Sequence, residues 1–240
     1  RGGQRFIDKT PQFIYQQNLN RGKIIYGMKH KSIIVAEGFP FIVLSLVFTG
    51  FAAFFGVAWL TILLAALTIF IIAFFRNPQR HFQAAEKLVI SPADGKVIKM
   101  EEVDVRGAMA GRFKKISIFM NVFNVHVNRA PYEGTIEKIS YHPGKFVSAN
   151  LDKASTENER NEVLIRTEDG RAIWTVQIAG LIARRIVCWI REGETLAKGE
   201  RFGMIRFGSR VEVFLPADSR VVVRLNDKVR AGQTPLGYLS

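Results

Sequence analysis

Four segments of the chain gather the residue types that acid–base or nucleophilic chemistry needs. Ser91-Pro92-Ala93-Asp94-Gly95-Lys96-Val97 holds a carboxylate in a turn. Phe119-Met120-Asn121-Val122-Phe123-Asn124-Val125-His126-Val127-Asn128-Arg129-Ala130-Pro131 holds one histidine, the side chain that titrates nearest neutral pH. Tyr141-His142-Pro143-Gly144-Lys145-Phe146, continuing to Glu157-Asn158-Glu159-Arg160-Asn161, adds a second histidine and two acids. Arg206-Phe207-Gly208-Ser209-Arg210-Val211-Glu212-Val213 places a hydroxyl directly after a glycine. Taken singly, each has a plain structural reading. Pro-Ala-Asp-Gly is a turn by composition. His126 alternates with Val125 and Val127 as a core or edge residue of a strand would. Glu157, Glu159 and Arg160 read as a solvated helix face. Gly208-Ser209 between two apolar runs reads as a bulge or tight bend.

Taken together, in order and spacing, the four segments resemble the phosphatidylserine decarboxylase family in the short form found in bacteria and archaea. The resemblance covers roughly residues 76–216, and Phe-Gly-Ser-Arg-Val-Glu-Val-Phe-Leu-Pro is its most specific motif. It implies a proenzyme that cuts itself between Gly208 and Ser209. The residue types agree with that chemistry. Ser209 Oγ would attack the Gly208 carbonyl, and a glycine there leaves the attacked carbon unhindered and free to adopt an unusual backbone angle. β-Elimination of the resulting ester leaves dehydroalanine, which hydrolyses to a pyruvoyl group and ammonia. By resemblance His126 is the base, Asp94 orients it and Ser209 is the nucleophile. The pyruvoyl cofactor would condense with the substrate amine and act as an electron sink when CO₂ leaves, and His126 would return the proton. Asn128, Arg129 and His142 are the candidate substrate-binding residues, and no metal is implied. Long forms of the family have Leu-Gly-Ser-Thr where this chain has Phe207-Gly208-Ser209-Arg210. They also carry two histidines three residues apart, where this chain has only His126, with Arg129 at the second place. Either His126 serves both reactions or His142 takes one of them.

The elements that must position these residues fall into three parts. Residues 1–32 form a basic segment in which seven Lys and Arg stand against one acid. Residues 33–75 form a membrane hairpin. Its 38 residues from Gly38 to Phe75 contain no charged side chain or histidine. As one helix they would run about 57 Å, too long for a hydrocarbon core of about 30 Å. Two helices with a turn between Gly50 and Gly56 fit better, either crossing the bilayer or dipping into one leaflet. Lys29 and Lys31 before the run and Arg76 and Arg80 after it put both flanks on the cytoplasmic side of the cell membrane. Residues 76–240 read as a mainly β domain, barrel- or sandwich-like, with strand-like runs at 96–100, 115–119, 163–166, 173–178, 185–190 and 221–225. A helix fits around 149–161. Cleavage would leave chains 1–208 and 209–240 held together as a heterodimer, because the second chain would supply interior strands.

A faint repeat links Gly193-Glu194-Thr195-Leu196-Ala197-Lys198-Gly199 to Asn226-Asp227-Lys228-Val229-Arg230-Ala231-Gly232. The pattern also occurs in lipoyl- and biotinyl-carrier folds, and its physical content is a tight turn. A membrane-tethered carrier is therefore the non-enzymatic alternative, but no lysine tip flanked by methionines is present. A pyruvoyl decarboxylase for another amino-acid head group is the enzymatic alternative. The formal net charge of +13, concentrated beside the apolar run, points to anionic lipid, and no nucleic-acid-binding motif is present. The partners implied are a phospholipid substrate and the chain's own two halves, with association into a homo-oligomer left open. The single Cys188, in an apolar stretch, reads as core and excludes an intramolecular disulfide.

Overall fold

A computed structural model describes residues 32–81, 85–105, 110–144, 149, 154–180, 185–206 and 208–240. The basic segment expected over 1–32 lies, apart from Ser32, outside them. A 3-10 turn, Ala36–Gly38, leads into helix α1 (Phe39–Phe54), whose Pro40 sits in the first turn, where its missing N–H costs nothing. The chain reverses at Phe55 to Val57, with Gly56 in the left-handed region at φ 69°, and returns as helix α2 (Ala58–Phe74). The turn thus lies at the far end of the expected window, and Gly50 stays inside α1. Small polar side chains line the seam between the helices: Thr49 and Thr68 hydroxyls meet at 3.2 Å, and Ser45 is buried beside them. Each hydroxyl also bonds a backbone carbonyl one turn back, which satisfies it without water.

The outer surface of the hairpin is apolar and uncovered. Phe54 is 84% exposed and Ile62 71%. The segment Ala36–Phe54 is 19 residues long with mean hydropathy 1.7, long and apolar enough to cross a membrane, and only 22% of that window is buried. A soluble core helix would be covered. α2, at 17 residues, spans about 25 Å. The two ends of the hairpin are tied to each other: Ile34 bridges Arg76, Val35 N donates to Phe75 O at 3.0 Å, and Asn77 N donates to Ile33 O at 2.6 Å. Both flanks therefore leave on one side.

The remaining elements are β1 (Leu88–Ile90), β2 (Gly95–Val105), β3 (Gly111–Met120), β4 (Val127–Arg129), β5 (Gly134–His142), a single helical turn α3 (Ala154–Glu157), β6 (Arg160–Arg166), β7 (Ala172–Ala179), β8 (Ile186–Cys188), β9 (Thr195–Leu196), β10 (Arg201–Ile205), β11 (Ser209–Pro216), β12 (Arg220–Val221), β13 (Lys228–Val229) and β14 (Pro235–Tyr238). Eight strands form one curled antiparallel sheet in the order β13-β2-β3-β11-β7-β6-β5-β9, a half-barrel. Two three-stranded sheets, β1-β14-β12 and β4-β10-β8, complete a mainly β domain behind the helical hairpin. Alternation along β11 sends Ser209, Val211, Val213 and Leu215 to the core face, with Ile116, Ile118, Val163 and Ile165 from neighbouring strands. Cys188 is half-buried against this core.

Three expected elements are shorter than read; the strand at 185–190 is paired only over Ile186–Cys188. Of the described residues in the helix expected around 149–161, only Ala154–Glu157 are helical, because Arg160 enters the β6 ladder with β5 and β7. The strand at 221–225 ends at Val221, since Arg224 N donates to Asp227 Oδ2 at 2.8 Å and turns the chain. The repeat, by contrast, is structural. Ile136 N donates to Glu194 O and its carbonyl accepts from Gly193 N; Val97 makes the same pair with Asp227 O and Asn226 N. Asn226, at φ 76°, stands where the first copy has Gly193 at φ 83°. The copies place β9 and β13 at the two opposite edges of the large sheet, covering both.

Candidate active site around Ser209

Ser209 opens β11, between Met120 of β3 and Ala179 of β7, in the middle of the eight-stranded sheet. It is fully buried, and its Oγ donates to Met120 Sδ at 3.4 Å. The same sulfur accepts from Asn128 Nδ2 at 3.8 Å. Asn128 Oδ1 accepts from Gln177 Nε2 at 2.8 Å, and Gln177 Oε1 accepts from Asn161 Nδ2 at 3.0 Å. A dry chain of side-chain amides thus runs up to the serine, every member almost wholly buried. The preceding Gly208 is in the left-handed region at φ 64°, where an L side chain is strained. Its carbonyl lies over Gly180, where a Cβ would stand 2.2 Å from the Gly208 oxygen. Only glycine at 180 leaves that carbonyl its place.

His126 follows a turn built by Asn121 and Asn124, whose side chains accept from Phe123 N and Asn121 N. It is fully buried, and its ring lies 4.2 Å from that of Phe74, the last residue of α2. Nδ1 is 3.0 Å from Asn124 O. A carbonyl only accepts, so Nδ1 carries the hydrogen and Nε2 the lone pair. Nε2 is buried with no hydrogen-bond partner among the described residues. Burial lowers the pKa to about 4; the Asn124 bond opposes this, Arg76 adds to it, and Asp94 opposes it. The ring is therefore neutral near pH 7, with a free base nitrogen.

Asp94 makes no hydrogen bond to His126. Arg80 grips its carboxylate with both Nη atoms, the second at 2.8 Å from Oδ2, and Ala231 N donates to Oδ1 at 2.8 Å. The expected orienting bond is replaced by a longer-range charge. Two more arginines converge there. Arg129 donates to Gly199 O at 2.9 Å and Pro78 O at 2.8 Å, and Arg201 donates to Asn77 Oδ1 at 2.6 Å. Burial first, then Arg201 and Arg80, lower the Arg129 pKa to about 10, against the pull of Asp94. These bonds fasten the linker that leaves the hairpin.

His142 stands apart. It shares a cross-strand row with Arg160, Ile178 and Arg210, on the face opposite Ser209. Three strand spacings, roughly 14 Å, separate it from Arg210. Its Nε2 is 3.3 Å from Glu162. It is not placed to serve Ser209. On that same outer face Arg210 and Glu212 are both buried, paired at 3.3 Å, with Ser117 and Ser155 donating to Glu212 Oε1. Glu159 is likewise buried, not solvated, and Asn158 Nδ2 donates to Ala179 O at 2.7 Å, beside Ser209. Sequence reasoning missed Gly180, Met120, Gln177, Asn161 and Phe74. None carries a signal of its own, since each acts through strand register or the packing of α2.

A second apolar cluster joins the hairpin to this site: Val35, Phe74 and Phe75 pack on Val125, Val127, Trp189 and Met204. Trp189 Nε1 donates to Glu37 at 3.0 Å, and Arg76 Nη2 donates to Phe123 O at 2.7 Å.

Comparison with known proteins gives one consistent result. The phosphatidylserine decarboxylase family model matches residues 67–237. The phosphatidylserine decarboxylase proenzyme of Syntrophus aciditrophicus is 56% identical over 211 residues, covering 88% of this chain and 99% of that protein. Those of Magnetococcus marinus and Ralstonia nicotianae are 48% identical over 216 residues and 50% over 212, covering 88% and 86% of this chain and 98% and 96% of the relatives.

Proposed function

The chain belongs to the phosphatidylserine decarboxylase family of carboxy-lyases, and on that premise we propose that it is a proenzyme that cuts itself at Gly208–Ser209 and then converts phosphatidylserine to phosphatidylethanolamine and CO₂. The observation that carries this reading is the Gly208 carbonyl, held in left-handed backbone over Gly180 and followed directly by a buried serine hydroxyl. A proton leaves Ser209 Oγ, the oxygen bonds to the Gly208 carbon, and the Gly208–Ser209 C–N bond breaks to give an ester and a free amine. Loss of the Ser209 Cα proton then expels the Gly208 carboxylate. Water replaces the nitrogen, which leaves as ammonia, and residue 209 becomes pyruvoyl.

The surroundings suit that group: a dry floor, side-chain amides from Asn128 and Gln177, and, among the described residues, two orphan acceptors, His126 Nε2 and Asn161 Oδ1. Its ketone supplies the electron sink that decarboxylation requires. His126 is the residue to hold and return a proton, at Nε2, with Nδ1 fixed by Asn124. Asp94 acts on it through charge. The halves 1–208 and 209–240 stay joined, since β11 lies between β3 and β7, β13 on β2, and β14 between β1 and β12. The apolar hairpin holds the domain at the cell membrane, and its paired basic flanks favour the cytoplasmic side. Denaturing mass measurement tests the reading. The wild type should give two chains split at 208/209, and Ser209→Ala one inactive chain. Gly180→Ala should process far more slowly, because its methyl displaces the Gly208 carbonyl. A single intact chain in active wild-type enzyme would overturn the proposal.

A further inference from the structure

We propose that Arg206, with Arg185 beside it, forms a subsite for the phosphodiester oxyanion of the lipid headgroup. The inference rests on the decarboxylase reading and adds a recognition site to it. β10 pairs with β8 through Ile205 and Ile186, and the ladder runs on one step, with Arg206 N donating to Arg185 O at 3.2 Å. The two guanidinium groups therefore rise from neighbouring positions. Arg206 Cζ lies 5.5 Å from the ring centre of Phe41, in the first turn of α1, and Phe41 stacks on Phe75. Its Nε is buried without a hydrogen-bond partner among the described residues. Among the described residues no carboxylate comes within ion-pair distance of Arg206; the nearby Glu37 accepts from Trp189 instead.

A half-buried cation facing another cation is unfavourable unless an anion joins them. Burial and then Arg185 hold the Arg206 pKa below its usual value, as expected of a site awaiting negative charge. The other arginines near Ser209 are committed: Arg76 to Phe123 O and Ala73 O, Arg80 to Asp94, Arg129 to Gly199 O and Pro78 O, Arg201 to Asn77, Arg210 to Glu212.

Position argues the same way. In phosphatidylserine only one oxygen and one methylene separate the phosphorus from the α-carbon that loses CO₂. A phosphate site must therefore lie close to residue 209, and Arg206 is three residues before it in the chain. Ile205 N donates to His126 O at 3.3 Å, which fixes this stretch against the histidine segment. Phe41 at the base of the apolar hairpin sets the level at which headgroups lie.

The test uses the full-length chain in detergent micelles, as wild type, Arg206→Gln, Arg206→Lys and Arg185→Gln. Calorimetry measures Kd for short-chain phosphatidylmethanol, a phosphodiester that presents the oxyanion without the amine. Turnover of short-chain phosphatidylserine gives KM and kcat. In Arg206→Gln both Kd and KM should rise together, on the order of tenfold or more, with kcat largely kept; Arg206→Lys should recover part of the loss. Unchanged Kd and KM, or a fall in kcat alone, would overturn the proposal. Should circular dichroism show Arg206→Gln unfolded, Arg185→Gln, altered on an exposed side chain, carries the same comparison. Inorganic phosphate separates the two sources of this chemistry: weak competition beside a strong lipid phosphate supports the headgroup, and equal affinity rejects it. A wild type without decarboxylase activity would sink the reaction assigned above, while the Kd comparison would still decide the subsite.

Discussion

His126, the proposed proton carrier, shows how burial sets the protonation state of a side chain. Its imidazole is enclosed against Phe74, and enclosure brings its pKa to about 4. The folded value lies below the ordinary 6.5, so between these two pH values the unfolded chain binds a proton that the folded chain does not. The stability linked to this group is complete above about pH 6.5 and falls as pH drops toward 4, by roughly 3 kcal/mol. The same shift predicts the maturation profile. If His126 Nε2 receives the Ser209 proton, self-cleavage of freshly translated proenzyme should be flat from about pH 6 upward and decline only as pH approaches 4. An inflection near 6.5, read from band intensities after timed quenching, would mean that the ring is hydrated during the reaction. The motifs that make Ser209, His126 and Asp94 candidates were legible in the sequence. Their contacts were not, because Asp94's partner, Arg80, and the partner of Ser209, Met120, are set by how separate elements dock.

At the scale of elements, the linker between α2 and β1 is the part least visible in sequence and most consequential for the site. Beyond the basic pair Arg76 and Arg80, residues 76–80 carry no pattern, yet Arg80 neutralises Asp94, and Arg129 and Arg201 hold the backbone of Pro78 and the side chain of Asn77. The hairpin, the β domain and the repeat were all readable, since hydrophobic runs and glycine turns are local signals. The exchange of strands among three sheets was not, and neither was the short stop at Val221, which depends on an aspartate capping its own turn. The linker geometry gives a prediction that separates two roles for Asp94. Asp94→Asn leaves Arg80, Arg129 and Arg201 converging without a counter-charge, and breaking a buried pair costs on the order of 3–5 kcal/mol. If Asp94 acts mainly as counter-charge, adding Arg80→Gln to Asp94→Asn should restore part of both the melting temperature and the processing rate. If Asp94 acts on His126 during cleavage, the double variant should regain stability and still fail to process. Thermal unfolding beside a processing gel distinguishes these outcomes.

At the scale of the whole molecule, the function proposed above makes the hairpin both an anchor and a wall of the candidate site. Its outer face exposes phenylalanines and aliphatic side chains, and the exposed Phe123 of the β domain extends that surface beside Phe70, with ring centres 6.0 Å apart. An exposed apolar area of this extent is compatible with burial in a membrane. At about 1 kcal/mol per basic residue, screened by salt, the cationic flanks contribute less than this burial. High salt alone should therefore leave the protein on membranes, and detergent should release it. Because every candidate catalytic residue follows Arg76, the sequence alone suggests that the β domain would mature without its first 75 residues. The packing changes that expectation. Phe74 covers His126, and Phe75 is fully buried among Val125, Val127, Trp189 and Met204. Removing residues 1–75 would strip this cover, wet His126 and raise its pKa toward 6.5. Phe74→Ala in the intact chain isolates the effect. It should cost about 3–5 kcal/mol, move the pH midpoint of self-cleavage upward, and leave membrane attachment intact. Ile62→Ser, on the outer face of α2, should do neither to the site. An unshifted midpoint in Phe74→Ala would mean that the hairpin only anchors, and that His126 owes its dryness to the β domain alone.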